Sequence, residues 1–400
     1  METTMIIQPK MRGFICTTAH PAGCRQAVAE DVAYVRSQPA MDGPKRVLVI
    51  GSSTGYGLAC RITAAFGCGA HTVGVCLERP AAGNRTATAG WYNTQAFEDM
   101  AGEAGLACPT INGDAYSDEV KAQAIQAVRA LPGGQVDLIV YSLAAPKRVH
   151  PKTGQSYSSV IKPLGAPFGS KTVDFHTGEV TQVEIAPATP GEAEATVQVM
   201  GGEDWLFWMR ELLAAGVLAD GCCTLSFSYL GPVITHAVYK DGTIGRAKED
   251  LEEKAKEIDK LLAPLGGKSF VSVNKALVTQ ASAAIPVVPL YISLLYRVMK
   301  DRGTHESCIR QMARMFAGRL YPPHHPAGWD WVRTDEAGRI RMDDWEMDPV
   351  VQNAVESMWR DVSTENIAAK GDLQGYRDDF YRLFGFGVAG VDYKEDTAQL

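Results

Sequence analysis

The stretch Arg46–Ala59, RVLVIGSSTGYGLA, constrains the fold more than any other part of the 400-residue chain. The β-branched and aliphatic run Arg46–Ile50 reads as a buried parallel strand. Glycines follow at 51, 55 and 57, and the apolar, alanine-rich Leu58–Phe66 reads as a helix. Strand, glycine turn and helix in that order form a dinucleotide-binding context. Gly51 permits the tight turn. Gly55 and Gly57 remove the Cβ atoms that would obstruct a pyrophosphate and the helix–strand contact. The helix N-terminus then offers free N–H groups and a positive dipole end to an anion.

The same alternation continues. His71–Leu77 is a second apolar run and ends in Glu78, at the strand tip where a carboxylate accepts from a ribose 2′-hydroxyl and repels a 2′-phosphate. This favours NAD over NADP, although Arg79 stands beside it. Leu106–Asn112 reads as a third strand, leading to Asp114, placed to accept from an adenine amino group. Val136–Tyr141 reads as a fourth, followed by Leu143 and Ala144, small enough a stretch for a ribose and nicotinamide to lie on the backbone. Four strand–helix units predict a right-handed, doubly wound parallel α/β sheet of Rossmann type. Residues 1–45 read as an N-terminal arm, with Met5–Cys16 extended or a hairpin and Gln26–Ser37 a helix. Residues 46–310 read as the nucleotide-binding and catalytic core. Short alternating runs, Lys171–Phe175 and Glu179–Ile185, predict a hairpin within an insertion at about 147–215. Residues 311–400 read as a C-terminal helical extension.

Composition excludes several classes. A net charge of −7 without a basic block argues against nucleic acid or an anionic membrane as the main partner. Nine scattered cysteines with no C-x-x-C pair suggest free thiols in a reducing cytoplasm. Met1–Ile15 lacks the apolar core of a signal peptide. The most apolar stretch, Ala281–Met299, is interrupted by Pro286, Pro289 and Arg297, so it reads as a buried helix against a sheet and not a membrane span. His305 with Cys308, or His324 with His325, lack the further ligands that a zinc site needs. LAPLGGKS at 262–269 lacks the first glycine of a phosphate loop.

The chemistry is expected at Tyr229, Tyr239 and Lys248. Hydride transfer to a polarised alkene or carbonyl builds an enolate or alkoxide, which some group must stabilise or protonate. A tyrosine does this when a nearby ammonium favours its charged form. Short-chain dehydrogenases separate the pair by three residues. Here eight residues separate Tyr239 from Lys248, with the turn Asp241-Gly242-Thr243 between them. The lysine is also expected to hydrogen-bond the cofactor ribose.

GSSTGYG, the Tyr-x8-Lys pair, MGGEDW (200–205), LVTQASAAIPVVPLY (277–291), RGTHE (302–306), DDWEM (343–347) and LFGFGVAGVDY (383–393) together resemble the FabV-type enoyl reductases, also called trans-2-enoyl-CoA reductases. The resemblance runs from IIQPKMRGFICTTAHP to GVDY. It implies NADH-dependent reduction of a trans-2-enoyl thioester, carried by acyl carrier protein or coenzyme A, in fatty acid biosynthesis. It makes Tyr239 the proton donor, Lys248 an NAD-binding residue and Tyr229 the contact to the substrate carbonyl. It also implies that Gly51, Ser52, Ser53, Thr54, Gly55 and Tyr56 cradle the pyrophosphate and that Leu77 and Glu78 flank the adenosine ribose. Asp114 and Ala115 meet the adenine, Leu143 and Ala144 the ribose side, and Leu277, Val278 and Thr279 close over the nicotinamide. Flavin is not required, because NADH delivers hydride directly, and the aromatics of the C-terminal third read as helix packing. With two wrapping segments, a monomer is expected. A 3-oxoacyl or carbonyl reductase on the same fold and a non-catalytic NAD(H) sensor remain the alternatives.

Overall fold

The computed structural model describes residues 6–12 and 15–395. Seven parallel strands form its central sheet: β1 (Arg46–Ile50), β2 (His71–Cys76), β3 (Thr110–Asn112), β4 (Val136–Tyr141), β5 (Leu218–Ser228), β6 (Lys268–Val273) and β7 (Ile340–Arg341). Their spatial order is 3-2-1-4-5-6-7. The order reverses between β1 and β4, which pair in register from Val47 with Leu138 to Ile50 with Tyr141. A crevice opens at such a reversal, outside the carboxyl ends of the strands, and is where α/β sheets of Rossmann type bind ligands. The near-continuous apolar runs of β1, β2 and β4 follow from burial on both faces, as helices cover each side.

On one face lie α1 (Pro21–Ser37), α2 (Gly55–Cys68), α3 (Ala89–Glu103) and α9 (Cys308–Met315). On the other lie α4 (Asp118–Ala130), α6 (Glu203–Ala214) and α7 (Thr243–Leu262). A third core caps the carboxyl edge. It is built on α8 (Val288–Asp301) with α10 (Pro349–Asp361), α11 (Leu373–Arg382) and the hairpin Phe168–Val173/Val180–Ile185. The hairpin stands apart from the main sheet, as the alternation around His176-Thr177-Gly178 predicts.

Several boundaries differ from the sequence reading, each for a local reason. The third strand is confined to Thr110–Asn112, because Pro109 has no N–H to give to a ladder. The first helix begins at Pro21, where His20 caps it by accepting from Gly23 N at 3.2 Å. Its Pro and Gly conceal the start. Helix α8 begins only at Val288, after Pro286 and a one-turn helix at Ser282–Ala284. It packs against α10, α11 and the hairpin, not against the main sheet. Helix α5 (Pro190–Met200), with a Thr189–Glu192 capping box, and the small ladder Lys147–Val149/Ser156–Ser158 escape the sequence reading. Of the N-terminal arm, Met11–Arg12 pairs with Ile15–Cys16; Met5, Gly13 and Phe14 lie outside the described residues.

Candidate active site

The glycine turn sits at the strand-order reversal. Gly51 has φ +88°, and a Cβ there would stand 2.1 Å from Ser142 O, so the turn after β1 abuts the turn after β4. A Cβ at Gly57 would meet Gly51 O at 1.9 Å, so Gly57 serves the contact between helix and strand. At Gly55 a Cβ would meet nothing, which leaves the helix start open for approach. Thr54 occupies the N-cap of α2 without a side-chain cap bond, so the first-turn N–H groups stay available to an anion. These features fit a dinucleotide pyrophosphate. The Tyr56 hydroxyl donates to Lys275 O at 2.9 Å, so its side chain is spent on the loop after β6 and its backbone is the part left to the turn.

Glu78 follows β2 and leans over the turn. Its carboxylate accepts from Ser53 Oγ at 2.6 Å and from the Thr88 hydroxyl. Asn112 clamps the Glu78 backbone, accepting from its N at 2.7 Å and donating to its carbonyl at 2.9 Å. Leu77 beside it is 71% exposed. Across the crevice the Asp114 carboxylate accepts from Tyr116 N at 3.0 Å, an Asx turn that shapes its own loop. Ala115 is buried, and its carbonyl is held by Lys121 Nζ at 3.1 Å and Trp208 Nε1 at 3.1 Å. Leu143 and Ala144 leave β4 beside Gly51, with Ala144 exposed.

Tyr229 lies one residue past β5, and Tyr239 follows the short turn of helix Val233–His236. Their rings meet edge to face at 4.8 Å and 88°. Helix α7 starts hard against the Tyr239 backbone: a Cβ at Gly245 would lie 1.7 Å from Lys240 O, and Gly245 N donates to Tyr239 O at 2.8 Å. Lys248 lies about one turn further along this helix. Its Nζ donates to Phe227 O at 2.9 Å, and burial lowers its pKa to about 8. Burial pushes the Tyr239 phenol up to about 12, so it holds its proton at neutral pH. No group among the described residues takes the Tyr239 hydroxyl.

Leu277 and Val278 are buried in the loop after β6. Val278 N donates to Tyr296 OH at 3.3 Å, and Thr279 and Ser282 bond reciprocally at 2.8 and 3.1 Å. The structure therefore gathers the predicted residues along the carboxyl edge of one sheet. It also adds residues that the motif reading passed over: Asn112, Lys121, Asp204, Lys275, Tyr291 and Glu346. Asp204 and Glu346 lie inside the quoted blocks MGGEDW and DDWEM, but nothing in their spacing says what they touch.

Three family models match consecutive parts of the chain. Residues 6–83 match the NAD(P)H binding domain of trans-2-enoyl-CoA reductase, 85–321 its catalytic region, and 334–397 an "enoyl reductase FAD binding domain". The described part of that last segment does not fit a flavin dinucleotide. It carries a two-residue strand and three helices, and the apolar faces of α10 and α11 are spent on α8 and the hairpin. Its Gly385 is filled against Cys24 N, where a Cβ would stand at 2.5 Å. The cavity beside 334–339 holds about 250 Å³ and lies at the opposite, amino edge of β6. An enoyl-[acyl-carrier-protein] reductase [NADH] of Flavobacterium psychrophilum is 55% identical over 99% of this chain and 98% of its own length. One from Coxiella burnetii is 55% identical over 98% and 95%. Among solved structures, a Clostridium trans-2-enoyl-CoA reductase in complex with NADH superposes with a TM-score of 0.94 at 43% identity, covering 98% of this chain and 97% of that one. The Treponema denticola enzyme in complex with NAD gives 0.91 at 48%, with the same coverage. Matched from end to end by models and relatives alike, the chain belongs to the trans-2-enoyl reductase family, whose members are named for enoyl-acyl-carrier-protein or enoyl-CoA reduction.

Proposed function

We propose that this chain reduces the C2–C3 double bond of trans-2-enoyl thioesters with NADH, in fatty acid biosynthesis in the cytoplasm. The substrate is carried by acyl carrier protein or coenzyme A. The observation that carries the reading is the edge-to-face contact of Tyr229 with Tyr239 past the carboxyl end of β5, with Lys248 Nζ bonded to the carbonyl of Phe227, whose ring lies 5.5 Å from that of Tyr56 in the glycine turn. Bound NADH supplies a hydride to Cβ of the enoyl group. The chain's part is to place the turn 51–57 and Glu78 against the pyrophosphate and adenosine ribose, and the loop 277–279 over the nicotinamide. Tyr229 and Tyr239 stabilise the charge that develops on the thioester oxygen, and Tyr239 gives its proton toward Cα. Lys248 in its ammonium form hydrogen-bonds the ribose and eases the loss of that proton. Glu78 accepts from a ribose 2′-hydroxyl and would meet a 2′-phosphate with like charge, so NADH is preferred to NADPH.

The test follows NADH absorbance with crotonyl-CoA, repeated with NADPH and with acetoacetyl-CoA. Oxidation of NADH by the enoyl thioester alone is expected. Turnover only of acetoacetyl-CoA would make the chain a ketoreductase, and NADH binding without turnover of free or carrier-bound substrate would make it a sensor. Tyr239→Phe is expected to lose about 10²–10⁴-fold in kcat, the usual worth of a placed acid, while NADH binding survives. Full turnover in that variant would move the donor role elsewhere.

A further inference from the structure

A fully buried carboxylate stands behind one of the two tyrosines and not the other. Glu346 Oε1 accepts from Tyr229 OH at 2.9 Å and from Tyr291 OH at 2.6 Å, and Oε2 accepts from Ala276 N at 2.7 Å. Gln352 Nε2 braces the arrangement, donating to Tyr291 OH at 3.1 Å and to the Glu346 carbonyl at 2.6 Å. Every group bonded to the carboxylate donates to it, which suits the anion. Burial is the largest influence on the Glu346 carboxyl and raises its pKa; Lys275, just past β6, and the donors from Tyr291 and Ala276 favour the anion, and Asp343 on its own segment opposes it. Tyr239, 4.8 Å from Tyr229 ring to ring, has no such carboxylate among the described residues, and its backbone abuts the start of the helix that carries Lys248.

We infer that Glu346 is a positioning residue that divides the labour of the tyrosine pair, keeping Tyr229 a protonated hydrogen-bond donor and leaving Tyr239 as the group that gives up its proton. This rests on the proposed reading of the two tyrosines. Two adjacent phenols facing one developing oxyanion are chemically equivalent unless their surroundings differ. A negative charge at hydrogen-bond distance makes ionisation of Tyr229 costly. Burial and then Glu346 raise the Tyr229 phenol well above its ordinary range, whereas Tyr239 is raised by burial alone. Pairs of titratable groups pushed apart by their environments mark out acid and spectator roles. Tyr229 can turn its proton to the thioester oxygen when substrate arrives, because Tyr291 and Ala276 N still satisfy the carboxylate.

The test is a set of variants in the full-length chain, each checked for Tm and NADH binding. Glu346→Gln keeps the shape and removes the charge. In the wild-type background it is expected to lower kcat several-fold. In the Tyr239→Phe background it is expected to raise the residual kcat about tenfold, since Tyr229 is then free to act as the acid. A residue that only supports the fold would lower both. Equal losses in the two backgrounds would overturn the role given to Glu346. Full activity of Tyr239→Phe alone would instead overturn the donor reading on which it rests. Should Glu346→Gln fail to fold, 3,5-difluorotyrosine incorporation followed by ¹⁹F NMR reads the order of ionisation directly. The resonance lost in Tyr239→Phe should titrate at lower pH than the one lost in Tyr229→Phe, and the reverse order would refute the inference.

Discussion

Lys248 works at a protonation state that its surroundings have made marginal. With its pKa lowered to about 8 by burial, it is an ammonium below that pH and a neutral amine above it. In the proposed mechanism only the ammonium eases the ionisation of Tyr239, so kcat/KM for the enoyl thioester is expected to fall as pH rises through about 8 in the free enzyme. Lys248→Arg, whose cation does not titrate there, should lose that alkaline limb whatever its absolute rate. A limb that persists unchanged in the variant would assign it to another group. Tyr239 and Lys248 were legible from residue type and from the turn between them. The abutment of the Tyr239 backbone on the start of α7 needed the close approach of Gly245 to the Lys240 carbonyl, which no spacing rule states.

At the scale of elements, the Asp114–Tyr116 loop at one end of the crevice is held by a buried ion pair. Lys121 of α4 and Asp204 of α6 meet at 2.8 Å with side chains 1% and 2% exposed. Lys121 also donates to the carbonyls of Ala115 and Tyr116, and Tyr141 at the end of β4 donates to Asp204 at 3.1 Å. Two helices, a strand and the Asp114–Tyr116 loop therefore share one network. Removing one partner leaves a buried charge unpaired, at a cost of about 3–5 kcal/mol. Asp204→Asn is expected to lower Tm and to raise the KM for NADH more than it lowers kcat, since the loop it holds is the one proposed to meet the adenine. An unchanged KM for NADH would confine the pair to stability.

At the scale of the molecule, the C-terminal segment acts as part of the enzyme's core. Residues 340–341 add the seventh strand beside β6, Glu346 reaches Tyr229, and α10 and α11 cover α8. With their apolar faces spent in this way, α10 and α11 serve as packing elements. The purified chain is expected to turn over enoyl thioester with no flavin absorbance near 450 nm and with no gain on adding FAD. Stoichiometric FAD, or activity restored by it, would refute this. No helix of the described residues is long and apolar enough to cross a membrane, and the long apolar stretch is spent instead on α8, 0% exposed at Leu290, Tyr291 and Ile292.

What the sequence by itself determined was local or periodic. The strand–glycine–helix turn, the four alternating units, the hairpin around His176-Thr177-Gly178 and the Tyr239–Lys248 turn are each written within a few tens of residues, where propensity, periodicity and turn chemistry act. The two-residue β7, the Lys121–Asp204 pair and the Glu346–Tyr229 bond were decided only by tertiary structure. They join residues 83 and 117 positions apart in the last two cases. A lone carboxylate in MGGEDW or DDWEM has no period and no fixed spacing to its partner. Its role follows from burial, because a charge removed from water must find its donors wherever the fold has brought them.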